Sequence, residues 1–324
     1  MPASRAFQPK IHARAQDLPR IAPAGMRLLH AHDITDVIDR FLHRITLPAR
    51  IVSKTNVRCK PMKVSVLQMP VQNGQPAKNL GTLYRMTAKA MENRPDVILL
   101  PELWRLGFYP KPIYDYADPD GTETRQALAR LSREYQVNIV GGTVANAIGR
   151  QVFNTCYIFD RTGQQITTYH KTHLFSPSGE NQDFTPGDKL VTFTLDGLKC
   201  GVLVCYDIRF PEAARALALQ DIALLFVPAA WPTSRLFHWQ TLLRARAIEN
   251  QIFVVACNEC GKMPGDVPLA GHSTIIDPWG EILAEAGEDE AILQANLRPI
   301  IRKQIQETID VYHDRRPELY NKRK

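Results

Sequence analysis

Cys205 opens the run Cys205-Tyr206-Asp207-Ile208-Arg209-Phe210-Pro211-Glu212, directly after the apolar stretch Gly201-Val202-Leu203-Val204. The pattern predicts a thiol where a buried strand ends and a helix begins. Pro211 suits the first helical turn, where the amide hydrogen it lacks would have no intrahelical partner. Unpaired backbone N–H groups at such a junction favour both a thiolate and a developing oxyanion. A single cysteine on a strand is more often a core residue, but two further segments change that reading. Glu102 ends the apolar run Val97-Ile98-Leu99-Leu100-Pro101, so its carboxylate is expected to be desolvated and raised toward the range of a general base. Lys171 follows a strand-turn-strand pattern over 155–160 and 165–169, turning at Thr162-Gly163, and projects from the end of a half-buried segment.

Glutamate, lysine and cysteine, each closing an apolar segment, make a base, a fixed cation and a nucleophile. That set can attack an acyl carbon: it activates a thiol, holds the oxyanion and protonates the leaving group. A serine hydrolase is not supported, because the chain has no G-x-S-x-G elbow. A papain-like Cys–His pair has His170, His173, His238 and His272 to draw on, but the local sequence around Cys205 is not of that kind.

These segments resemble the nitrilase superfamily of carbon–nitrogen hydrolases, defined by a Glu–Lys–Cys triad. The resemblance runs from Met62 to about Tyr320. Leu100-Pro101-Glu102 looks like its base motif, His170-Lys171-Thr172-His173-Leu174-Phe175 its lysine motif, and the run from Cys205 to Glu212 its nucleophile motif. Glu180, ahead of Thr185-Pro186-Gly187-Asp188, matches the family's second active-site glutamate. Cys-Tyr-Asp-x-Arg-Phe-Pro-Glu, Ala230-Trp231-Pro232, the stretch Leu243–Gln251, Gly271-His272-Ser273 and Asp277-Pro278-Trp279-Gly280 look like the omega-amidase branch, whose bacterial members act on 2-oxoglutaramate.

The resemblance implies a four-layer α-β-β-α sandwich, a C-terminal tail (about 299–324) crossing to a partner in a homodimer, and hydrolysis of a small linear amide through a thioester. Glu102 would be the base and Cys205 the nucleophile. Lys171 and the Tyr206 backbone N–H would hold the oxyanion, and Glu180 would position Lys171 or the substrate. No metal or organic cofactor is required. A substrate with a carboxylate needs a cation, for which Arg209 and Arg235 are available and Arg235 is favoured; Phe108, Tyr109 and Trp231 are candidates for the pocket wall. Rival readings are an amidase for deaminated glutathione or an N-carbamoyl compound, and a non-catalytic interaction protein on the same fold.

The composition constrains the partners. The formal net charge of +7 sits entirely in residues 1–62, which hold eleven Lys or Arg against four Asp. Residues 63–324 carry 29 bases and 29 acids, so this body has no global field for steering polyanions, and no nucleic-acid partner is expected. No apolar run approaches the ~20 residues needed to cross a bilayer, so no membrane partner is expected either. The six cysteines lack disulfide-framework spacing, which fits a reducing cytoplasm, and Cys257-x-x-Cys260 reads as two incidental thiols at a strand end. The basic extension over 1–62 is open between an organelle-targeting segment, an interaction arm and a misassigned start at Met62. One amphipathic stretch runs from Ile34 to Ile45, with Asp33 as its cap.

From Lys63 onward strands and helices alternate, which predicts an α/β layered fold for the hydrolase domain, 63–324. Strands are expected at 64–69, 97–100, 137–140, 201–204, 223–227, 252–256, 273–276 and 281–284. Helices are expected after Asn79 as cap, around Leu128, Leu131 and Tyr135, over 211–220 and over 236–250. There are no internal repeats or low-complexity tracts.

Overall fold

The computed structural model describes residues 60–108 and 110–320. The extension expected over 1–62, with its amphipathic stretch, lies outside the described residues except for its last three.

Two mixed sheets form the centre. The first contains β1 (Met62–Gln68), β2 (Val97–Leu99), β3 (Asp118–Pro119), β4 (Asn138–Val140), β5 (Val144–Ile148), β6 (Gln151–Phe159) and β7 (Gln165–His170). The second contains β8 (Thr192–Leu195), β9 (Leu198–Val202), β10 (Leu224–Ala229) and β11 (Phe253–Asn258). Beyond the small hairpin of β12 (Lys262–Met263) and β13 (Val267–Pro268), β14 (Thr274–Ile276) and β15 (Ile282–Glu285) extend the second sheet; β16 (Ala291–Leu297) returns to the first. The first sheet runs β16-β1-β2-β4-β6-β5-β3, with β7 also on β6, and the second runs β15-β14-β11-β10-β9-β8. Parallel pairing is confined to β1/β2/β4, β3/β5 and β9/β10/β11.

The helices are α1 (Pro76–Met91), α2 (Thr122–Tyr135), the single turn α3 (Glu180–Asp183), α4 (Pro211–Ala218), α5 (Leu236–Asn250), α6 (Ile300–Thr308) and α7 (Pro317–Tyr320). Alternation along the strands assigns them to layers. Val64, Val66, Val97 and Leu99 face Leu224, Phe226, Phe253 and Val255 across the space between the sheets. The intervening residues point outward: Leu67 and Ile98 pack with Leu83 and Met86 of α1 and Leu128 of α2. Leu225, Val227 and Val254 pack with Leu217 of α4 and with Trp239 and Leu243 of α5. Both faces of the central strands are therefore buried, which is why β1, β2, β10 and β11 read as continuous apolar runs. The result is the expected α-β-β-α sandwich.

Some elements differ from the sequence expectation. Asn79 does not cap α1: Pro76 takes the first helical position and starts the helix four residues earlier than expected, with Gln75 at the cap. The Asn79 side chain is buried, accepting from the Gln72 amide (2.9 Å) and donating to the Gln72 and Arg105 carbonyls (2.8 and 3.0 Å). The buried face of α1 is accordingly Asn79, Leu83, Met86, Thr87 and Ala90, while Ala88 is exposed. The strands β3, β5, β8 and β16 and the helix α6 were not anticipated.

Candidate active site

The expected residues meet at the carboxyl ends of strands. Glu102 follows β2, Lys171 follows β7, and Cys205 follows β9 at the head of a 3-10 turn, Cys205–Arg209. Glycine makes the Glu102 corner possible. Gly142 has φ +57°, and a Cβ there would lie 2.0 Å from the Pro101 carbonyl oxygen. That close approach lets the Thr143 amide reach the same oxygen (3.0 Å) while the Thr143 hydroxyl accepts from the Leu103 amide (2.8 Å). Cys205 itself sits at φ +48°, a left-handed conformation that costs a non-glycine residue about 1–3 kcal/mol and recurs at functional sites.

Asp207 secures that turn. Its Oδ2 accepts from the Val204 amide (2.8 Å) and the Tyr169 hydroxyl (2.7 Å). Its Oδ1 accepts from the His173 amide (2.9 Å) and the Thr172 hydroxyl (3.1 Å), with His173 Nδ1 also 2.8 Å away. One buried carboxylate thus ties the cysteine turn to the segment carrying Lys171. Phe210 stacks on His173 from the other side, ring centroids 3.8 Å apart.

The charged centre is dry: Glu102, Lys171 and Glu180 are 0%, 1% and 2% exposed. Lys171 Nζ donates to Glu102 Oε1 (2.8 Å) and to both oxygens of Glu180 (3.0 and 2.8 Å). Asn154 Nδ2, from β6, donates to Glu102 Oε1 (2.8 Å) and Glu180 Oε1 (3.0 Å). Backbone amides complete the set, Ala230 to Glu102 Oε2 (3.0 Å) and Phe175 to Glu180 Oε2 (2.7 Å). Burial pushes Glu102 above the usual carboxylate range; Lys171 opposes that and the charge of Glu180 adds to it. Burial also works against the Lys171 ammonium, yet the carboxylates of Glu102 and Glu180 hold it well above its ordinary value. The Cys205 thiol, raised by burial and by the Glu102 carboxylate against which it sits, needs a base to ionise.

Cys205, Lys171 and Glu180 open into a cavity of about 340 Å³. Phe108, Tyr206, Arg209, Trp231 and Arg235 line it, as do Met263, Pro264 and Val267 of the β12–β13 hairpin. Arg209 lies over the Trp231 ring (4.7 Å to the centroid) and Arg235 over Phe175 (5.1 Å). Lys111, at the same cavity, donates to Asp183 (2.5 Å).

The carbon–nitrogen hydrolase family model matches residues 63–306. The chain belongs to that family. Within it, this carbon–nitrogen hydrolase is 42% identical to the 2-oxoglutaramate amidase of Bacillus subtilis (strain 168), over 79% of this chain and 98% of that one. It also superposes on a CN-hydrolase superfamily protein of Xanthomonas campestris, crystallised with an arsenic adduct in its active site, at TM-score 0.75 and 26% identity, covering 79% of this chain and 98% of that one. The amidase of Nesterenkonia sp. AN1 superposes at TM-score 0.72 and 28% identity, over 80% and 98% of the two chains, in a form showing Michael addition of acrylamide at its active-site cysteine. A cysteine-to-alanine form of the same amidase is a complex with butyramide.

In this carbon–nitrogen hydrolase the structure brings together Glu102, Lys171, Glu180 and Cys205, with Tyr206, Trp231 and Arg235 on the cavity wall. Tyr109 lies outside the described residues. None of the four histidines weighed as a partner for Cys205 lines the cavity: His170 bonds Thr155 and His173 bonds Asp207. His238 lies by Arg209, and His272 is 3.5 Å from Glu285. Cys257 and Cys260 point instead at the Leu67 and Gln68 carbonyls (3.1 and 3.9 Å). Sequence reasoning did not single out Asn154, nor the tie that Asp207 makes. For Asp207, its place two residues after the cysteine was the available signal; for Asn154, a polar residue inside an otherwise apolar strand was.

Proposed function

We propose that the protein is a cysteine amidase that hydrolyses a small linear carboxamide bearing a distal carboxylate, of the 2-oxoglutaramate type, to the acid and ammonia. The observation that carries this reading is the lysine-bridged pair of carboxylates facing Cys205 at the base of a cavity with two arginines on its wall. The name of the Bacillus subtilis relative and the butyramide complex of the Nesterenkonia amidase support the choice of a short linear amide.

Glu102 takes the Cys205 proton as the sulfur attacks the amide carbon. The carbonyl electron pair moves to oxygen, held by the Lys171 ammonium and the Tyr206 N–H, an interaction typically worth about 2.7–4 kcal/mol of barrier per donor. The oxyanion collapses, the C–N bond breaks, and Glu102 hands its proton to the departing ammonia. A thioester remains. Water attacks it while Glu102 takes a water proton; the C–S bond breaks, the acid leaves, and the thiolate recovers its proton from Glu102. Glu180 accepts from Lys171 through both oxygens and keeps it in place. Arg235 receives the distal carboxylate. The assembly we propose is a homodimer or higher homo-oligomer, supported by Phe237 (75% exposed) and the exposed Ile248 on α5; sedimentation equilibrium tests it.

The test is ammonia release from 2-oxoglutaramate, glutamine, deaminated glutathione and an N-carbamoyl amino acid by wild type, Cys205→Ala and Glu102→Gln. Fast release from 2-oxoglutaramate, lost in both variants, is expected. Cys205-dependent turnover of a different amide only would keep the chemistry and discard the substrate, and turnover in Cys205→Ala comparable to wild type would discard both.

A further inference from the structure

Among the described residues, Asn154 is the one neutral side chain that hydrogen-bonds both carboxylates of the site. An amide nitrogen carries two hydrogens, and here they go to Glu102 Oε1 (2.8 Å) and Glu180 Oε1 (3.0 Å). Those two oxygens are also the acceptors of Lys171 Nζ, so the ammonium and the amide alternate around them. The backbone of Asn154 contributes as well, since its carbonyl accepts from the Lys171 amide (2.9 Å). The same residue therefore holds the lysine by its main chain and the lysine's two acceptors by its side chain.

The arrangement has a cost. Asn154 Oδ1 is buried and makes no hydrogen bond, which is unfavourable in a dry interior. Flipping the amide would relieve nothing, because the oxygen would then face two carboxylates. The choice of a neutral donor also matters. Two carboxylates around one ammonium leave a surplus negative charge. A second cation in place of Asn154 would cancel it and depress Glu102 out of the range of a general base. An apolar residue would leave the like charges braced by Lys171 alone.

We propose that Asn154 is a positioning residue of the reaction, holding Glu102 and Glu180 on either side of Lys171 and setting how readily Glu102 accepts the Cys205 proton. The inference rests on the reading of Glu102 as the base. Its sign is fixed: the amide stabilises ionised Glu102, so removing it raises the affinity of Glu102 for a proton. The acid limb of any process that needs ionised Glu102 then moves to higher pH.

The experiment measures methyl methanethiosulfonate labelling of the Cys205 peptide against pH, by mass spectrometry, in wild type, Asn154→Leu, Asn154→Asp and Glu102→Gln. Labelling involves no amide substrate, so a wrong substrate in the proposed function leaves the result intact. In Asn154→Leu the acid limb is expected to move up by about one pH unit, the scale of one charge-assisted hydrogen bond. Turnover of 2-oxoglutaramate should lose about tenfold or more in kcat while KM stays within about twofold, as for an interaction that matters mainly in the transition state. Asn154→Asp keeps the shape but adds a third carboxyl to the cluster, so its limb should also move upward; it serves if the leucine variant does not fold. An acid limb at the wild-type pH in either folded variant overturns the proposal. A limb at the wild-type pH in Glu102→Gln removes the base on which the inference stands, and overturns both readings.

Discussion

Lys171 Nζ makes three hydrogen bonds, one to Glu102 and one to each oxygen of Glu180, and it also lines the cavity. Across the cavity, Arg235 is expected to act only on substrates with a distal carboxylate. Arg235→Ala should raise KM for 2-oxoglutaramate by about tenfold or more while KM for neutral butyramide changes by less than about twofold, as measured by ammonia release, because a charged hydrogen bond is lost in one case only. Glu259, 3% exposed and with Oε1 unpaired, is a buried carboxyl that the proposed steps do not use. Burial, and secondarily the charge of Glu102, raises it well above the usual carboxylate range. Folded, it keeps its proton to higher pH than unfolded, so the native state binds more protons above the unfolded value and stability falls there as pH rises. Glu259→Gln should therefore raise the melting temperature more at about pH 8 than at about pH 4.5, and an equal gain at both would contradict the assignment.

At the scale of elements, the site depends on the ends of strands being held in register with one another. Asp207 does this with four protein donors and the His173 ring on its two oxygens. Asp207→Asn replaces one acceptor oxygen by an NH2 facing donors. Urea unfolding should show a loss of about 3 kcal/mol or more, the size expected for leaving buried donors unpaired, and kcat should fall with the geometry of the Cys205 turn. These ends were legible because each closes an apolar run: Glu102 after β2, Lys171 after β7 and Cys205 after β9 all follow from where hydrophobicity stops. Helix α5 was legible to the residue, Leu236–Asn250. Asn154 was not singled out, because its meaning lies in contacts with residues 52 and 26 positions away, and nothing local distinguishes it from any polar residue of a strand. The start of α1 was misplaced because Asn79 has the composition of a cap while its side chain serves a loop. The strand β16 was missed for a similar reason, since its pairing partner is the first strand of the body.

For the molecule as a whole, the layer between the sheets is the main store of stability. Phe226 of β10 is fully buried there and lies nearly parallel to Phe193 of β8, ring centroids 6.2 Å apart. Phe226→Ala should cost about 3–5 kcal/mol, read as a lower urea midpoint with kcat of the surviving folded fraction preserved, since Phe226 does not line the cavity. Among the described residues no helix is long and apolar enough to cross a membrane.

The pairing of β1 with β16 has a temporal meaning. Met62 lies opposite Leu297 and Gln68 opposite Ala291, a full seven-residue antiparallel ladder. A ribosome delivers β1 early and β16 some two hundred residues later. Throughout that interval the nascent chain carries one open flank of β1, an invitation to pair with another chain. Ser65 and Gln68 are polar positions on that strand, and Lys63 precedes them. That flank is closed when the chain's own last strand emerges and pairs with it.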